Sequence, residues 1–268
     1  MNYIPKGLTE EIRKKVAVAK NPKNSPLFDF FCRKRRIKEI RKNAQIHSYR
    51  IENPDGGVPY SVPKKNGSVK RGIKCIENAF NWGKENFDIK KFDESFIKKL
   101  AGKILPELYC ESPMNYRQMH EGVRISGSKF LPPYPAKVRE VEMPRFVDCL
   151  RYQFKNTEED VIAQLMVAIY AHFHLVRIHP FTDGNGRTAR TLQDVILDHY
   201  HLPIPLIEAG ERMTYYQCLE QAVEGWKEKG ASDKKINGAT SGEQMFYTFI
   251  AGKINSSLDK MIGYHSKF

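Results

Sequence analysis

One twelve-residue segment at positions 179–190, His-Pro-Phe-Thr-Asp-Gly-Asn-Gly-Arg-Thr-Ala-Arg, constrains the fold of this chain more than any other feature. It follows one stretch whose apolar side chains recur at helical spacing, residues 159–178, and its last four residues begin a second such stretch, residues 187–199. A proline and two glycines interrupt the helical pattern between them, and Pro203 follows the second stretch. The sequence therefore predicts two helices joined by a tight loop, within a mostly helical domain.

The end of this loop has residue types that are typical of phosphate-binding sites. Gly184, Asn185 and Gly186 lie where the second helix begins, and there the backbone N–H groups and the helix dipole favour an anion. Arg187 and Arg190 are three residues apart, so both lie on one face of the first helical turn. A guanidinium group binds phosphate oxygens in pairs and keeps its charge. The pattern predicts a phosphate site.

Three other residues of the segment can supply chemistry to that phosphate. Asp183 is an oxygen ligand of the kind that holds Mg²⁺ beside phosphates. Asn185 can donate a hydrogen bond to an oxygen that gains charge in the transition state. His179 titrates near neutrality and can remove a proton from a hydroxyl. A zinc site formed with His172 and His174 is the less favoured interpretation, because residues 172 and 174 point away from each other on a helix.

The segment resembles the signature of the Fic (filamentation induced by cAMP) family, His-x-Phe-x-(Asp/Glu)-Gly-Asn-Gly-Arg-x-x-Arg, at every fixed position. Residues 116–133 are similar to the β-hairpin flap of that family, and residues 212–225 to the helix that closes over the nucleotide base. The resemblance covers roughly residues 73–257. It implies a mostly α, Fic-type helical domain with a small β-hairpin flap beside the active-site loop. We accordingly assign residues 1–72 to a basic N-terminal extension and residues 73–268 to the Fic domain.

Fic enzymes transfer AMP from ATP to a hydroxyl of a target protein, with Mg²⁺ as cofactor. The resemblance implies that His179 is the general base on a Ser, Thr or Tyr, that Asp183 holds Mg²⁺, and that Asn185 stabilises the α-phosphate oxygens. The residues implied to bind the other phosphates are Gly184, Gly186, Arg187 and Arg190. Those implied to stack on the adenine are Tyr215 and Tyr216. The flap residues implied to hold the target main chain as an added strand are Ile125, Ser126, Gly127 and Ser128.

Many members of the family carry an inhibitory helix with the pattern Ser/Thr-x-x-x-Glu-Gly/Asn, whose glutamate pairs with the last arginine of the signature. Residues 73–78, Ile-Lys-Cys-Ile-Glu-Asn, match the end of this pattern, with Ile73 at the Ser/Thr position. We therefore predict an inhibitory helix near residues 73–85, in which Glu77 pairs with Arg190 and prevents productive binding of ATP. The alternative is that Glu77 is an ordinary exposed helix carboxylate.

The basic residues in excess lie at the start of the chain. The net charge is +13, and residues 1–75 hold 19 Lys and Arg against 6 Asp and Glu, so the remainder is neutral. The densest piece, residues 33–42, is predicted to continue as a basic helix from residues 27–32, and residues 53–70 read as a linker. The candidates for an anionic partner are nucleic acid, an acidic protein surface and a membrane surface. A localisation signal and a solvated arm without a partner remain alternatives.

The cysteines and the N-terminus bear on the compartment. Five scattered cysteines without CxxC spacing favour reduced thiols, and the N-terminus has no apolar signal-peptide region. We expect a cytoplasmic protein, or a bacterial effector or toxin secreted into a host cell without a cleavable signal peptide.

Two classes of function stand. The first is a Mg²⁺-dependent protein adenylyltransferase, with or without autoinhibition. The second is a nucleic-acid-binding regulator with a Fic-like scaffold. Within the enzyme class, another nucleotide donor or deAMPylation remains open, as does a homodimer.

Overall fold

The computed structural model describes the chain in seven stretches: residues 3–20, 27–53, 68–106, 115–118, 131–157, 159–231 and 238–262. These stretches are helices and their connections, without a β-strand among them, and this confirms the mostly α fold class. The centre of the predicted flap, with Ile125, Ser126, Gly127 and Ser128, lies outside the described residues, as does most of the predicted linker at 53–70.

The α-helices of the described residues are α1 (Lys6–Lys20), α2 (Leu27–Glu52), α3 (Ser68–Asn86), α4 (Glu94–Ile104), α5 (Pro135–Lys137), α6 (Met143–Asn156), α7 (Val161–Ile178), α8 (Asn185–His199), α9 (Arg212–Ala231) and α10 (Ser241–Ile262). A π-helical turn, Val138–Glu142, joins α5 to α6, and a 3-10 turn, Ala209–Glu211, precedes α9. The basic residues 33–42 lie within α2, as predicted.

The chain divides into two compact units. Residues Ser48–Tyr200 form the central unit, and Met1–His47 together with His201–Phe268 form the terminal unit. Within the terminal unit α10 packs against α9 and α1, and Lys229 pairs with Glu243 at 3.2 Å. The boundary predicted at residue 72 between extension and Fic domain stays a prediction.

The core of the central unit is built around α7 and α8, which pack against each other. Helix α8 also contacts α3 and α4, and α6 packs on α7. Among the described residues, α7 is the one helix that is long and apolar enough to cross a membrane, and 78% of it is buried inside the fold. It is therefore a core helix, which fixes the position of the residues that follow it.

The predicted helix–loop–helix is confirmed around residues 179–184. Asp160 caps α7, because its Oδ1 accepts a hydrogen bond from the backbone N of Ile162 at 2.9 Å. The helix ends at His179, whose backbone is left-handed with φ 52° and ψ 56°. Gly184, with φ 76°, then precedes the first turn of α8. The loop is thus a short turn between two core helices.

Candidate active site

The side-chain amide of Asn185 stabilises the backbone of the loop. Its Oδ1 accepts a hydrogen bond from the backbone N of Phe181 at 2.9 Å, and its Nδ2 donates to the Phe181 carbonyl at 2.7 Å. The Asn185 side chain is buried, so this pair is shielded from water. The amide therefore shapes the loop, and its implied action on phosphate oxygens stays a prediction.

Gly184 occupies a position that other residues would strain. Its φ of 76° is left-handed, and a Cβ atom there would lie 2.8 Å from Cδ1 of Leu105. Because Gly184 can adopt this backbone, α8 starts at Asn185 and its first N–H groups have no partner within the helix. Such a helix start is an anion-binding position.

Arg187 is a buried cation beside this helix start. It is 3% exposed, and its Nη2 donates to Oδ1 of Asp183 at 3.1 Å. Its Nε is buried and finds no hydrogen-bond partner among the described residues. A buried donor without a partner costs about 1–3 kcal/mol, and more when the group is charged. The arrangement therefore fits an anionic ligand that supplies the acceptor.

Asp183 is the residue that can hold Mg²⁺ here. Its Oδ1 accepts from the backbone N of Gly184 at 2.5 Å as well as from Arg187, and its side chain is 30% exposed. Within the described stretches no three His, Cys, Asp or Glu residues cluster as a metal site. Mg²⁺ in nucleotide enzymes is usually held by one or two carboxylates together with phosphate oxygens. A single partly exposed carboxylate beside a phosphate site fits that mode.

His179 is a buried histidine whose tautomer and charge follow from its surroundings. Its Nδ1 lies 3.2 Å from the carbonyl oxygen of Val176. Because a carbonyl can only accept, Nδ1 carries the proton and the lone pair is on Nε2. Burial lowers the pKa of His179 to about 4, and the positive charge of Arg117 acts in the same direction. The Val176 hydrogen bond and the charges of Glu52 and Asp183 act to raise the pKa, but burial dominates. The imidazole is therefore uncharged at neutral pH.

Arg190, the last arginine of the signature segment, binds the end of α2. Its Nη2 donates to Oε1 of Glu52 at 2.8 Å and to the carbonyl oxygen of Ser48 at 3.0 Å. Its Nε donates to Oγ of Ser48 at 2.9 Å. The side chain of Arg190 is 6% exposed and that of Glu52 26%, so the ion pair is largely shielded from solvent.

The predicted pairing of Glu77 with Arg190 is wrong. Glu77 lies on α3 with a side chain that is 43% exposed, and it pairs with Lys74 at 2.8 Å, one helical turn away. The alternative interpretation of Glu77, as an exposed helix carboxylate, describes the structure. The ion pair with Arg190 that the prediction assigned to Glu77 is formed by Glu52 of α2.

The sequence contained the signal for Glu52. Residues 48–53, Ser-Tyr-Arg-Ile-Glu-Asn, satisfy the pattern Ser/Thr-x-x-x-Glu-Gly/Asn at every fixed position, whereas residues 73–78 lack the Ser/Thr. This segment lies within the stretch assigned to the basic extension, outside the predicted Fic domain. Its glutamate also lies against the start of α8, because a Cβ atom at Gly186 would be 2.2 Å from Oε1 of Glu52.

Packing against α3 holds the end of α2 in place. Tyr49 is 1% exposed and Ile51 is fully buried. The ring of Tyr49 lies directly on Gly72, where a Cβ atom would come within 2.1 Å of Cε2 of the ring. The absence of a side chain at Gly72 therefore makes room for Tyr49. This contact anchors the turn that carries Ser48 and Glu52.

The predicted adenine residues belong to a different compact unit from the loop residues. Tyr215 and Tyr216 belong to α9 of the terminal unit, and both are buried. Tyr215 packs near Phe246, with ring centroids 6.3 Å apart, and the guanidinium of Arg212 lies 5.2 Å from the Tyr216 ring centroid. Their part in binding adenine stays a prediction.

Two upstream histidines have structural partners. Nδ1 of His172 lies 2.8 Å from Oε1 of Gln193, which links α7 to α8 in the core. Nδ1 of His174 accepts a hydrogen bond from Nε of Arg177 at 3.3 Å, and Arg177 pairs with Glu142 at 2.8 Å. Both histidines therefore act in packing around the site.

Comparison with known proteins bears on the region that contains the loop. Residues 91–197 match the sequence profile of the Fic/DOC family. This region of the chain, residues 91–197, is a Fic domain. The match confirms the resemblance read from residues 179–190, and it ends two residues before the end of α8.

Among the relatives of the Fic domain are proteins named protein adenylyltransferase Fic. The one from Nematostella vectensis is 36% identical over 106 residues, which are 40% of this chain and 24% of that protein. The one from Drosophila willistoni is 39% identical over 95 residues, which are 35% of this chain and 18% of that protein. The matched region is thus about a quarter or less of the length of these relatives.

The fold similarity extends over nearly the whole chain. A Fic-domain-containing signalling protein from Bacteroides thetaiotaomicron superposes with a TM-score of 0.72 at 19% identity, over 96% of this chain and 97% of that one. Fic-1 of C. elegans superposes with a TM-score of 0.68 at 20% identity, over 96% of this chain and 71% of that one. At such identities the similarity establishes the fold, which here includes residues outside the family match.

Proposed function

We propose that this chain is a protein adenylyltransferase, which transfers AMP from ATP to a hydroxyl group of a target protein. The observation that carries the proposal is the buried Arg187, whose Nε lacks a hydrogen-bond partner among the described residues, at the start of α8. A phosphate chain would supply that acceptor and would meet the N–H groups of the first helical turn. The relatives named protein adenylyltransferase Fic support AMP as the transferred group.

In the proposed reaction His179 acts as the base. Its Nε2 lone pair takes the proton of a Ser, Thr or Tyr hydroxyl, whose oxygen forms a bond to the α-phosphorus of ATP. The bond between that phosphorus and the bridging oxygen to the β-phosphorus breaks, and pyrophosphate leaves. A neutral imidazole is required for the first step, and the buried site keeps it neutral. Asp183 would hold Mg²⁺, which when bound neutralises phosphate charge. Phosphoryl-type transfer depends mainly on positioning and charge neutralisation, and this site offers both.

We also propose that Glu52 keeps the enzyme in an inhibited state. Glu52 forms an ion pair with Arg190, which could otherwise bind a terminal phosphate. The Glu52 carboxylate also lies against Gly186. A carboxylate at that place repels a phosphate and competes for the same donors. ATP would then bind weakly, or in a pose unsuited to transfer, until the end of α2 is displaced.

Labelling with two forms of ATP tests the transfer. The Glu52→Gly protein and the Glu52→Gly/His179→Ala protein are each incubated with Mg²⁺, a cell lysate and ATP labelled at either the α- or the γ-phosphate. We expect covalent label from α-labelled ATP alone, and only with His179 present. Label from γ-labelled ATP would indicate phosphate transfer, and label that survives His179→Ala would remove the histidine from the mechanism. Either result would overturn the proposal.

A further inference from the structure

Arg117 is a buried arginine outside the signature segment that binds three main-chain groups around His179. Its side chain is among the buried charged groups of the central unit, and it is 4% exposed. Its Nε donates to the carbonyl oxygen of His179 at 2.9 Å, and its backbone N donates to the carbonyl oxygen of Pro180 at 2.9 Å. Its Nη2 donates to the carbonyl oxygen of Pro133. One residue thus connects three points of the chain.

The bond to His179 lies at a backbone conformation that is unfavourable for a non-glycine residue. His179 has a left-handed backbone, which costs a non-glycine residue on the order of 1 kcal/mol or more. A residue persists in such a conformation when its surroundings hold it there. The backbone N of His179 is bound to the carbonyl oxygen of Leu175 at 3.0 Å, and its carbonyl is bound to Arg117. The two bonds fix both peptide groups of His179, and so fix the direction in which its side chain leaves the backbone.

The bond to Pro133 connects the same guanidinium to another part of the chain. Pro133 belongs to the stretch that leads into α5, and Arg117 lies sixteen residues before it. The exposed rings and chains of that stretch, Tyr134 at 84% and Leu131 at 67%, face solvent. The guanidinium is therefore shared between the main chain of His179 and a segment with solvent-exposed side chains.

We propose that Arg117 is a positioning residue of the reaction, which holds His179 in its left-handed conformation so that Nε2 faces the reacting hydroxyl. The inference rests on the proposed function for its kinetic consequence. Its structural part, the orientation of the imidazole, is independent of that function. Its positive charge, close enough to act on the pKa of His179, also favours the neutral ring.

The test compares two arginines that make the same type of bond. Arg117→Met removes the guanidinium at a similar side-chain length. Arg151→Met is the matched control, because Nε of Arg151 also donates to a main-chain carbonyl, that of Phe92, at 2.7 Å and away from the loop. Both are made in the Glu52→Gly protein, and Arg117→Lys is added as the conservative variant that keeps the charge. The readouts are kcat, the KM for ATP, and the ¹⁵N spectrum of the His179 ring, assigned by comparison with His179→Ala.

In the Arg117→Met protein we expect kcat to fall by about tenfold to a hundredfold with the KM for ATP unchanged within twofold, since displacement of a reacting group by about 1 Å has effects of that size. We expect its His179 spectrum to change from the Nδ1–H form to a mixture of tautomers, because the ring loses its fixed place beside the Val176 carbonyl. Arg117→Lys should recover part of kcat, and Arg151→Met should change neither readout.

Three results distinguish a failure of the inference about Arg117 from a failure of the proposed function. An Arg117→Met protein with the spectrum and kcat of Arg151→Met would overturn the inference. If Arg117→Met does not fold, Arg117→Lys decides: an unchanged kcat and His179 spectrum there would also overturn it. If the Glu52→Gly parent transfers no AMP while Arg117→Met still changes the His179 tautomer, the inference stands and the proposed function fails.

Discussion

The exchange of Glu52 for glycine is the perturbation with the most definite expected result. In the structure Arg190 donates to Oε1 of Glu52 at 2.8 Å, and its side chain is 6% exposed. A hydrogen bond of this kind, with both partners charged, contributes about 1.5–3 kcal/mol. If a terminal phosphate of ATP must displace the carboxylate, that free energy is subtracted from the binding of ATP. At about 1.4 kcal/mol for each factor of ten, the penalty is roughly tenfold to a hundredfold or slightly more.

We therefore expect Glu52→Gly to lower the Kd for ATP, measured by titration calorimetry in the presence of Mg²⁺, by about one to two orders of magnitude. Glu52→Gln, which keeps an acceptor oxygen without the charge, should lie between wild type and Glu52→Gly. The matched control is Glu77→Gly, which also introduces a glycine into a helix but removes a carboxylate paired with Lys74 on an exposed surface. It should leave the Kd within twofold of wild type. A wild-type Kd in the Glu52→Gly protein, or an equal change in Glu77→Gly, would refute the reasoning.

Three further predictions concern the packing around the site. Gly72→Ala places a Cβ atom 2.1 Å from the Tyr49 ring and should displace the end of α2, so that AMP transfer rises above wild type in the labelling assay; a rate equal to wild type would mean that the ring relaxes in place. Gly184→Ala combines φ 76° with a Cβ contact of 2.8 Å to Leu105 and should lower thermal stability by the equivalent of about 1–2 kcal/mol or more; an unchanged melting temperature would contradict this. Burial lowers the pKa of His172 to about 3, below its unfolded value of 6.5, so below pH 6.5 the unfolded state binds a proton that the native state does not bind. The free energy of unfolding should therefore decrease by about 2 kcal/mol between neutral pH and pH 5. Denaturant unfolding of His172→Gln should show a correspondingly smaller decrease, and a slope equal to wild type would exclude this histidine as the cause.

The helix–loop–helix and the positions of Arg187 and Arg190 in the second helix could be predicted from sequence because both depend on neighbours in the chain. The helical period on each side of residues 179–184 defines the two helices, and Gly186, Arg187 and Arg190 occupy fixed positions in the first two turns of α8. Local spacing places Arg187 and Arg190 on one helix face in any fold that contains this turn. The buried hydrogen bonds of Asn185 to the backbone of Phe181 are also local, four residues apart, although the sequence did not indicate them.

Arg117 could not be assigned from sequence because its bonds depend on tertiary structure. The pair Arg117–His179 is separated by 62 residues, and the groups of His179 and Pro133 that accept from the arginine side chain are backbone carbonyls, which carry no residue-specific signal. A backbone acceptor is present at every position, so no pattern of residue types marks the one that is used. The sequence also gives no sign of the left-handed conformation of His179, since glycine or asparagine is the usual residue at the end of a helix in such a turn.

The contrast between Glu52 and Glu77 shows which part of a pattern decides a contact. Both glutamates are followed by asparagine and preceded by isoleucine, so they differ at the position four residues earlier, which is Ser48 for one and Ile73 for the other. In the structure that position takes part in the contact, because Oγ and the carbonyl oxygen of Ser48 each accept a hydrogen bond from Arg190. Residues four apart on a helix lie on the same face, so serine and glutamate together present acceptors to one guanidinium. An isoleucine at that position would leave Nε of the buried arginine without its side-chain acceptor, at a cost of about 1–3 kcal/mol or more. The serine is therefore part of what lets α2 engage Arg190, and Ser48→Ala should weaken that contact and lower the Kd for ATP below the wild-type value.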